Sequence, residues 1–293
     1  MPVTGAPYPG PMPAAVRLVT VPYDSGRHRT GLGAGPDVWV AADAAGRLAR
    51  DGRPVSTVEV VGPPDLGELA SAFAVAREVA HEVRGAWDEG ASPVVLAGNC
   101  GASSGVLAGL PDRTGVLWLD AHGDLQLPST TTSGFVDGMC LSAITGRCWQ
   151  ALAATVPGFA PVRDERVVLV GGHALDPAEE RLLAGSGIEH LTVDRVRAGD
   201  ADQVVDALAD RVDRVHVHLD LDVHDPSAGR ANRWATPGGL HPEEVVGLLR
   251  AAAGRLPLAS MTLASWDPSL DHDGRMREVG LALLEVTGEL LGR

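Results

Sequence analysis

Lysine is absent from this sequence, and all 24 of its basic residues are arginine. Aspartate and glutamate together number 38, so the formal net charge at pH 7 is −14. A charge of this sign argues against nucleic acid and against an anionic membrane surface as partners, because both would repel the protein. The hydrophobic content of 45% and the charged content of 21% are typical of a soluble globular protein.

Cysteine is also scarce, and long apolar runs are missing. The three cysteines, Cys100, Cys140 and Cys148, are too few and odd in number for a disulfide framework, which favours a cytoplasmic location. No apolar run approaches the ~20 residues that a membrane span requires. Residues 1–15 are rich in proline and glycine and lack the basic and apolar regions of a signal peptide, so we interpret them as a flexible leader.

Short apolar segments alternate with helical segments along the rest of the chain. The long amphipathic segment 66–88 predicts a helix, and Pro36 is well placed as the first residue of a helix that runs to about residue 50. This alternation predicts an α/β fold in which helices cover both faces of a mainly parallel sheet. No linker or repeat interrupts residues 16–293, which we interpret as one domain. The predicted strands are 16–21, 55–61, 93–97, 116–120, 167–170, 190–193, 215–221 and 256–264.

Two of these strands end in side chains that can bind a metal ion. Asp120, His122 and Asp124 are spaced two apart, so an extended segment projects them to one side, and Asp220 and Asp222 repeat the pattern. Taken singly, such residues are more often helix caps, core histidines or surface carboxylates. Four carboxylates at one sheet edge would repel one another unless cations lay between them. Oxygen ligands with imidazole suit Mn²⁺, and two ions ~3.5–4 Å apart can lower the pKa of a shared water.

The same motifs resemble a known family. Asp-Ala-His-Gly-Asp at 120–124 and His-Leu-Asp-Leu-Asp-Val-His-Asp-Pro at 218–226 resemble the two signatures of the ureohydrolases, which include arginases and agmatinases. Residues 130–134, 172–177 and 236–240 are similar to this family in the same order. The resemblance implies a three-layer α/β/α fold and a dinuclear manganese centre. It also implies that a metal-bridging hydroxide attacks a guanidinium carbon.

The resemblance assigns expected roles to further residues. Glu244 would pair with the substrate guanidinium, although a carboxylate in the first turn of a helix is also commonly just solvated. Asp176 would read the α-amino group of an arginine-like substrate. The expected metal ligands are Cys100, Asp120, His122, Asp124, Asp220 and Asp222, of which Asp124 would also orient the hydroxide. The expected contacts to the α-carboxylate are Gln126, Thr131 and Ser133, whose alternative role is to form turns.

Four residues depart from the family pattern. Cys100 replaces a metal-binding histidine, and its soft thiolate fits Mn²⁺ poorly. We predict that it still ligates, because a strand-to-helix turn aims it at the same edge; the alternative is a buried thiol that binds nothing. Asp137 replaces a proton-shuttling histidine and would accept a proton or bind a guanidinium or amine. Phe135 and His173 replace polar residues that hold the amino-acid end of the substrate, which indicates altered reading of that end or a less polar guanidino compound.

The leading hypothesis is a manganese-dependent amidinohydrolase that releases urea or a substituted urea from arginine or a modified arginine, such as an N-hydroxylated one. A second hypothesis keeps the metal site and changes the substrate to agmatine, a guanidino acid or formimidoylglutamate. A third is a family member that has lost catalysis and serves as a regulatory or oligomer-forming subunit. The resemblance further implies a homo-oligomer, a trimer or a hexamer.

Overall fold

Eight strands form a single parallel sheet in the computed structural model, which describes residues 15–49, 52–62 and 66–291. The predicted leader therefore lies outside the described residues, except for Ala15, which begins the first strand. A two-stranded hairpin, β2 and β3, was not predicted. The strands are β1 (Ala15–Val21), β2 (Tyr23–Asp24), β3 (Arg27–His28), β4 (Val55–Glu59), β5 (Ala91–Ala97), β6 (Thr114–Asp120), β7 (Val167–Gly171), β8 (Glu189–Thr192), β9 (Arg214–Asp220) and β10 (Leu258–Ala264).

The strand order in the large sheet is β4-β1-β5-β10-β9-β6-β7-β8, and every neighbouring pair is parallel. All eight predicted strands are present with ends shifted by a few residues. Strands β5, β10, β9 and β6 are consecutive neighbours in the middle of the sheet. Their carboxyl ends therefore open side by side at one edge, which is where ligands collect in sheets of this kind.

Helices cover both faces of the sheet, which confirms the predicted three-layer α/β/α architecture. Alternate residues of one strand face opposite layers: Leu117 packs into one apolar cluster and Val116 into the other. Within the described ranges, no helix combines the length and the hydrophobicity that crossing a bilayer requires. The helices are α1 (Gly35–Ala41), α2 (Ala44–Leu48), α3 (Glu68–Asp88), α4 (Ser103–Gly109), α5 (Cys140–Ile144), α6 (Gln150–Ala153), α7 (Pro177–Ala184), α8 (Val193–Ala198), α9 (Ala201–Ala209), α10 (Pro242–Ala253) and α11 (Arg275–Leu290).

The helix predicted from Pro36 to residue 50 is wrong as a single element. Asp43 adopts a left-handed conformation with φ of 66°, and its side chain accepts a hydrogen bond from Gly46 N, so it ends α1 and caps α2. Aspartate is one of the few residues that tolerate this conformation, and its carboxylate competes with the helical hydrogen bonds. Apolar residues continue on both sides of the break, so the local pattern alone does not reveal it.

A pair of tryptophans stabilises the layer beneath the site. Trp39 of α1 stacks on Trp266, which follows β10, with ring centroids 4.7 Å apart, and both rings are buried. We expect Trp39→Ala to lower the free energy of unfolding by about 3–5 kcal/mol, because the substitution leaves a large cavity. Urea denaturation measures this loss. The neighbouring Val40, 41% exposed, supplies the control: Val40→Ala should change stability by less than about 0.5 kcal/mol. Equal effects of the two substitutions would contradict the packing role.

Candidate metal centre and active site

The four central strands each deliver a polar side chain to the same edge of the sheet. Strand β6 ends at Asp120 and β9 at Asp220, and these two strands are paired. Cys100 follows β5 in a short 3-10 turn, and Ser265 follows β10 directly. The thiol of Cys100 donates to Asp220 Oδ2 at 3.2 Å and lies 3.3 Å from Ser265 Oγ. The predicted strand-to-helix turn thus places Cys100 beside the carboxylates, as expected.

The first group of candidate metal ligands comprises Asp120, His122 and Asp222, whose ligand atoms all lie within 4.8 Å of one another. His122 Nδ1 lies 3.3 Å from Asp120 Oδ1 and 3.4 Å from Asp222 Oδ2. Both carboxylates are buried, while the imidazole is 30% exposed toward the cavity. Neutral imidazole with two carboxylate oxygens suits a divalent cation such as Mn²⁺.

The second group comprises Cys100, Asp120 and Asp124, and its ligand atoms also lie within 4.8 Å of one another. Asp120 belongs to both groups, so one carboxylate can bridge two cations. Asp124 Oδ2 is buried and has no hydrogen-bond partner among the described residues. A buried carboxylate oxygen without a partner is costly unless something positive meets it. Asp124 also has a positive φ of 50°, a strained conformation that directs its side chain into the site.

The electrostatics of the cluster indicate that it needs positive charge. Burial, together with the neighbouring Asp222, raises the pKa of Asp120 to about 6. Burial and the carboxylates of Asp120 and Asp137 raise the pKa of Asp124 well above its usual range. Burial alone would lower the pKa of His122, but its hydrogen bonds to Asp120 and Asp222 raise it to about 12. The protonated imidazole therefore supplies the charge that a cation would supply, and the residues present fit a site for divalent metal ions.

The thiol of Cys100 is held in its protonated form by the same surroundings. Burial raises the pKa of Cys100 well above its usual value, and Asp220, Asp137 and Asp124 raise it further. A metal ion at this position would favour the thiolate, because cysteine binds metals in that form. Metal binding at Cys100 would therefore release the thiol proton that is donated to Asp220 in this structure.

A cavity of about 230 Å³ opens above these ligands. Its floor contains Cys100, His122, Asp124, Asp220 and Asp222, so the candidate metal ligands face an accessible space. No arginine lines it among the described residues. The other lining residues are Leu32, Gln126, Ser133, Phe135, Asp137, Gly138, Ala174, Asp176, Glu179, Asn232, Trp234 and Ser265.

Asp137 lies between this cavity and a smaller one behind it. Its Oδ2 accepts a hydrogen bond from Asn99 Nδ2 at 2.8 Å, and its Oδ1 accepts one from Gly101 N at 3.0 Å. Burial raises the pKa of Asp137 to about 7, although these two hydrogen bonds oppose the rise. A carboxyl group with this pKa exchanges protons near neutral pH.

Glu244 is not brought to the cavity. Its Oε1 accepts a hydrogen bond from Arg197 Nε at 2.9 Å, and its Oε2 accepts one from the backbone of His241 at 2.7 Å. It therefore completes a capping box at the start of α10, a role that was not predicted. The expected pairing of Glu244 with a substrate guanidinium stays a prediction; in this structure Arg197 pairs with that carboxylate, and Glu244 does not line the cavity.

The residues expected to read the amino-acid end of a substrate are largely engaged with one another. Asp176 caps α7 through hydrogen bonds from Ala178 N and Glu179 N, and its Oδ2 accepts from Gln126 Nε2 at 3.1 Å. Ser133 Oγ accepts from Phe135 N at 3.1 Å. Gln126, Ser133 and Asp176 all line the cavity, and their expected contacts to a substrate stay predictions.

Thr131 and His173, which the sequence also links to the amino-acid end of the substrate, do not line the cavity. Thr131 Oγ1 accepts from Gly134 N at 3.1 Å within its own turn, the alternative that its hydroxyl allowed. His173 Nε2 lies 3.1 Å from Thr236 O. Neither side chain reaches the space above the metal ligands, so neither is placed to read a substrate.

Three residues that the sequence reasoning missed complete the site. Ser265 directly follows β10 and lines the cavity. Its position at the end of a predicted strand, like that of Asp120 and Asp220, is the signal that identifies it. Asn232 Nδ2 donates to Asp222 Oδ2 at 3.0 Å and to Ser265 O at 2.9 Å. Trp234 lines the mouth of the cavity. Asn232 and Trp234 lie in a loop without periodicity, which offers no signal.

Comparisons with known proteins agree with the fold and the motifs. The Arginase family model matches residues 14–287. The arginase of Bacillus caldovelox is 31% identical over 297 residues, covering 94% of this chain and 98% of that protein. The arginase of Bacillus subtilis (strain 168) is 28% identical over 297 residues, covering 96% and 99%. The native structure of Bacillus caldovelox arginase at pH 5.6 matches with a TM-score of 0.86 and 27% identity, over 96% of this chain and 99% of that chain.

The parallel sheet with clustered aspartates at its carboxyl edge and these matches together assign the chain to the ureohydrolase class of hydrolases. The chain belongs to the arginase family, whose hydrolases act on C–N bonds of linear amidines. The resemblance predicted from residues 120–124 and 218–226 is thereby confirmed.

Proposed function

We propose that this protein is a manganese-dependent amidinohydrolase that cleaves a guanidino compound and releases urea or a substituted urea. The observation that carries the proposal is the pair of candidate ligand groups that share Asp120 and whose other members all line an open cavity. Two bound cations would supply the positive charge that lowers the pKa of water and polarises the substrate. Asp120, His122, Asp124, Asp220, Asp222 and Cys100 are the residues that would hold them.

The side chains around the ligands have separate tasks in this proposal. Asn232 fixes Asp222 through its amide, so the ligand cannot rotate away from the cavity. Asp124 directs its unpartnered Oδ2 into the site, where it would accept a hydrogen bond from the attacking water. Asp137 is the carboxyl group placed to take up a proton, because it borders the cavity and its pKa is about 7.

The role of Asp137 predicts a change in pH dependence. Its basic form increases as the pH rises through about 7, so kcat/KM of the protein should rise over the same range. Asp137→Asn removes the titrating group, and we expect kcat/KM to fall roughly 10- to 100-fold with loss of that limb. A pH–rate profile of both proteins measures the effect. An unchanged profile in Asp137→Asn would remove Asp137 from catalysis.

The substrates first expected from the sequence are arginine and N-hydroxylated arginine, with agmatine, guanidino acids and formimidoylglutamate as alternatives. A coupled assay for urea release with added Mn²⁺, run across these compounds, tests them together. For formimidoylglutamate and N-hydroxylated arginine the released product is measured directly, because it is not urea. Turnover of any guanidino member supports the proposal, whereas turnover of formimidoylglutamate alone favours the alternative substrate. Metal binding without turnover of any of them favours a subunit that has lost catalysis.

We further propose that the protein is cytoplasmic and forms a homo-oligomer, a trimer or a hexamer, as the resemblance implies. The three free, buried cysteines are consistent with a reducing compartment. Light scattering coupled to size-exclusion chromatography gives the number of subunits directly.

A further inference from the structure

Two aromatic side chains form one wall of the cavity mouth. Phe135 and Trp234 come from separate loops, and their rings stack with centroids 5.1 Å apart and an interplanar angle of 17°. Both line the cavity and both are half-buried, so their apolar surface is open to a ligand. We call this pair the aromatic wall. Clustered half-exposed aromatic rings at a cavity mouth are a common means of binding flat or apolar groups.

The aromatic wall is joined to the metal ligands by one residue. Asn232 Oδ1 accepts a hydrogen bond from Trp234 N at 2.8 Å, while its amide nitrogen donates to Asp222 Oδ2. Asn232 is 1% exposed, and its amide is satisfied on both sides. The distance between the aromatic wall and the ligands is therefore fixed, and the wall is preorganised for a substrate of defined length.

The cavity offers little to a substrate carboxylate. No arginine lines it among the described residues, and the sequence has no lysine. Arg233 lies outside the lining, with its guanidinium 4.5 Å from the Trp234 ring centroid. The neutral polar groups of Gln126 and Asn232 are engaged within the protein. A carboxylate placed at the end of the cavity away from His122 would lie near aspartates and would lose its hydration without an arginine or lysine partner.

From these contacts we infer that the aromatic wall selects guanidino compounds whose far end is an uncharged aromatic or apolar group. The inference rests on the proposed function for the guanidine end of the substrate and adds the class of its other end. A guanidinium at the acidic floor and an apolar group against Phe135 and Trp234 match the two ends of the cavity. One stacked ring pair gives about a 2- to 12-fold advantage.

The test compares ligands that share a four-carbon chain and differ at the far end. 4-Phenylbutylguanidine, agmatine and L-arginine carry a phenyl ring, an amine and an amino acid. Dissociation constants are measured calorimetrically on the metal-free protein, so that binding is separated from hydrolysis, and kcat/KM is then measured with Mn²⁺. We expect 4-phenylbutylguanidine to bind with a dissociation constant at least 10-fold lower than that of L-arginine and to be hydrolysed with a kcat/KM at least 10-fold higher.

Substitutions then assign the preference to the aromatic wall. Phe135→Leu removes a ring but keeps an apolar side chain, and Trp234→Leu removes the larger ring. Each should reduce the preference for 4-phenylbutylguanidine over L-arginine about 5- to 10-fold. Trp234→Phe keeps a ring at this position and should retain most of the preference. Phe159→Leu is the matched control, since Phe159 is half-buried outside this cavity. Equal binding of L-arginine and 4-phenylbutylguanidine would overturn the inference, as would a selective loss of arginine binding in Arg233→Ala. Preferred binding of the aryl compound without any turnover would sustain the inference and refute the proposed function.

Discussion

Asp120→Asn should abolish turnover, lowering kcat/KM at least 10³-fold. Asp120 is the one residue common to both candidate ligand groups, so its replacement weakens both cation positions at once. An amide carries no charge and offers a single good oxygen donor, whereas a bridging ligand needs two anionic oxygens. Loss of a bridged metal pair removes the charge that activates water, which supplies several kcal/mol of the barrier reduction. Elemental analysis after dialysis should show fewer bound ions per chain.

In the metal-free protein, Asp120→Asn should increase the free energy of unfolding, although it abolishes activity. Burial and Asp222 raise the pKa of Asp120 in the folded protein to about 6, above its ordinary value. The protonated carboxyl group therefore favours the folded state, and this stabilisation is lost as the pH rises through about 6. At pH 8 the Asn variant of the metal-free protein should therefore unfold at higher denaturant than the parent. Glu244→Gln is the matched control, because its carboxylate pairs with Arg197 outside the cavity and glutamine preserves the capping box. Comparable losses of activity in the two variants would refute the account of Asp120.

Cys100→Ala should weaken the second cation position by about 100-fold or more, since it removes a ligand outright and not only a group that orients one. Cys100→His should instead shift the metal preference toward Mn²⁺, because imidazole is a harder ligand than thiolate. Competition titrations with Mn²⁺ and Zn²⁺ measure both effects. With Co²⁺, the parent should show a sulfur-to-metal charge-transfer band that both variants lack.

Cys148→Ala is the control for the cysteine substitutions, because Cys148 is buried in a small apolar cluster away from the ligands. It should leave metal affinity and the cobalt spectrum as in the parent. If Cys100→Ala and Cys148→Ala behave alike, Cys100 is a packing residue, which is the alternative that its burial allowed.

Part of the candidate ligand cluster follows from the sequence. Alternation along an extended segment does not account for His122, Asp124 and Asp222, because they lie beyond the strand ends and Asp124 has a φ of 50°. Asp120 and Asp220 do follow from the sequence, since they end neighbouring parallel strands whose carboxyl ends meet at one edge. Cys100 follows the same logic. The eight strands were predictable because parallel strands buried on both faces are short, continuous apolar runs.

What the sequence could not supply are contacts between residues far apart in the chain. Glu244 was assigned to the substrate because of its place in a motif, yet Arg197 pairs with its carboxylate from another helix. Trp234 stacks on Phe135 from a loop with no periodic pattern. The pKa of Asp137 depends on burial and on Asn99, neither of which is visible in its own segment. Such contacts are fixed by tertiary packing, which local spacing does not encode.

Anomalous diffraction from crystals soaked in Mn²⁺ shows whether Asp120 serves both candidate ligand groups. We expect two manganese peaks ~3.5–4 Å apart, both within ligand distance of Asp120, one beside His122 and one beside Cys100. A single peak, or none within ligand distance of Asp120, would contradict this expectation.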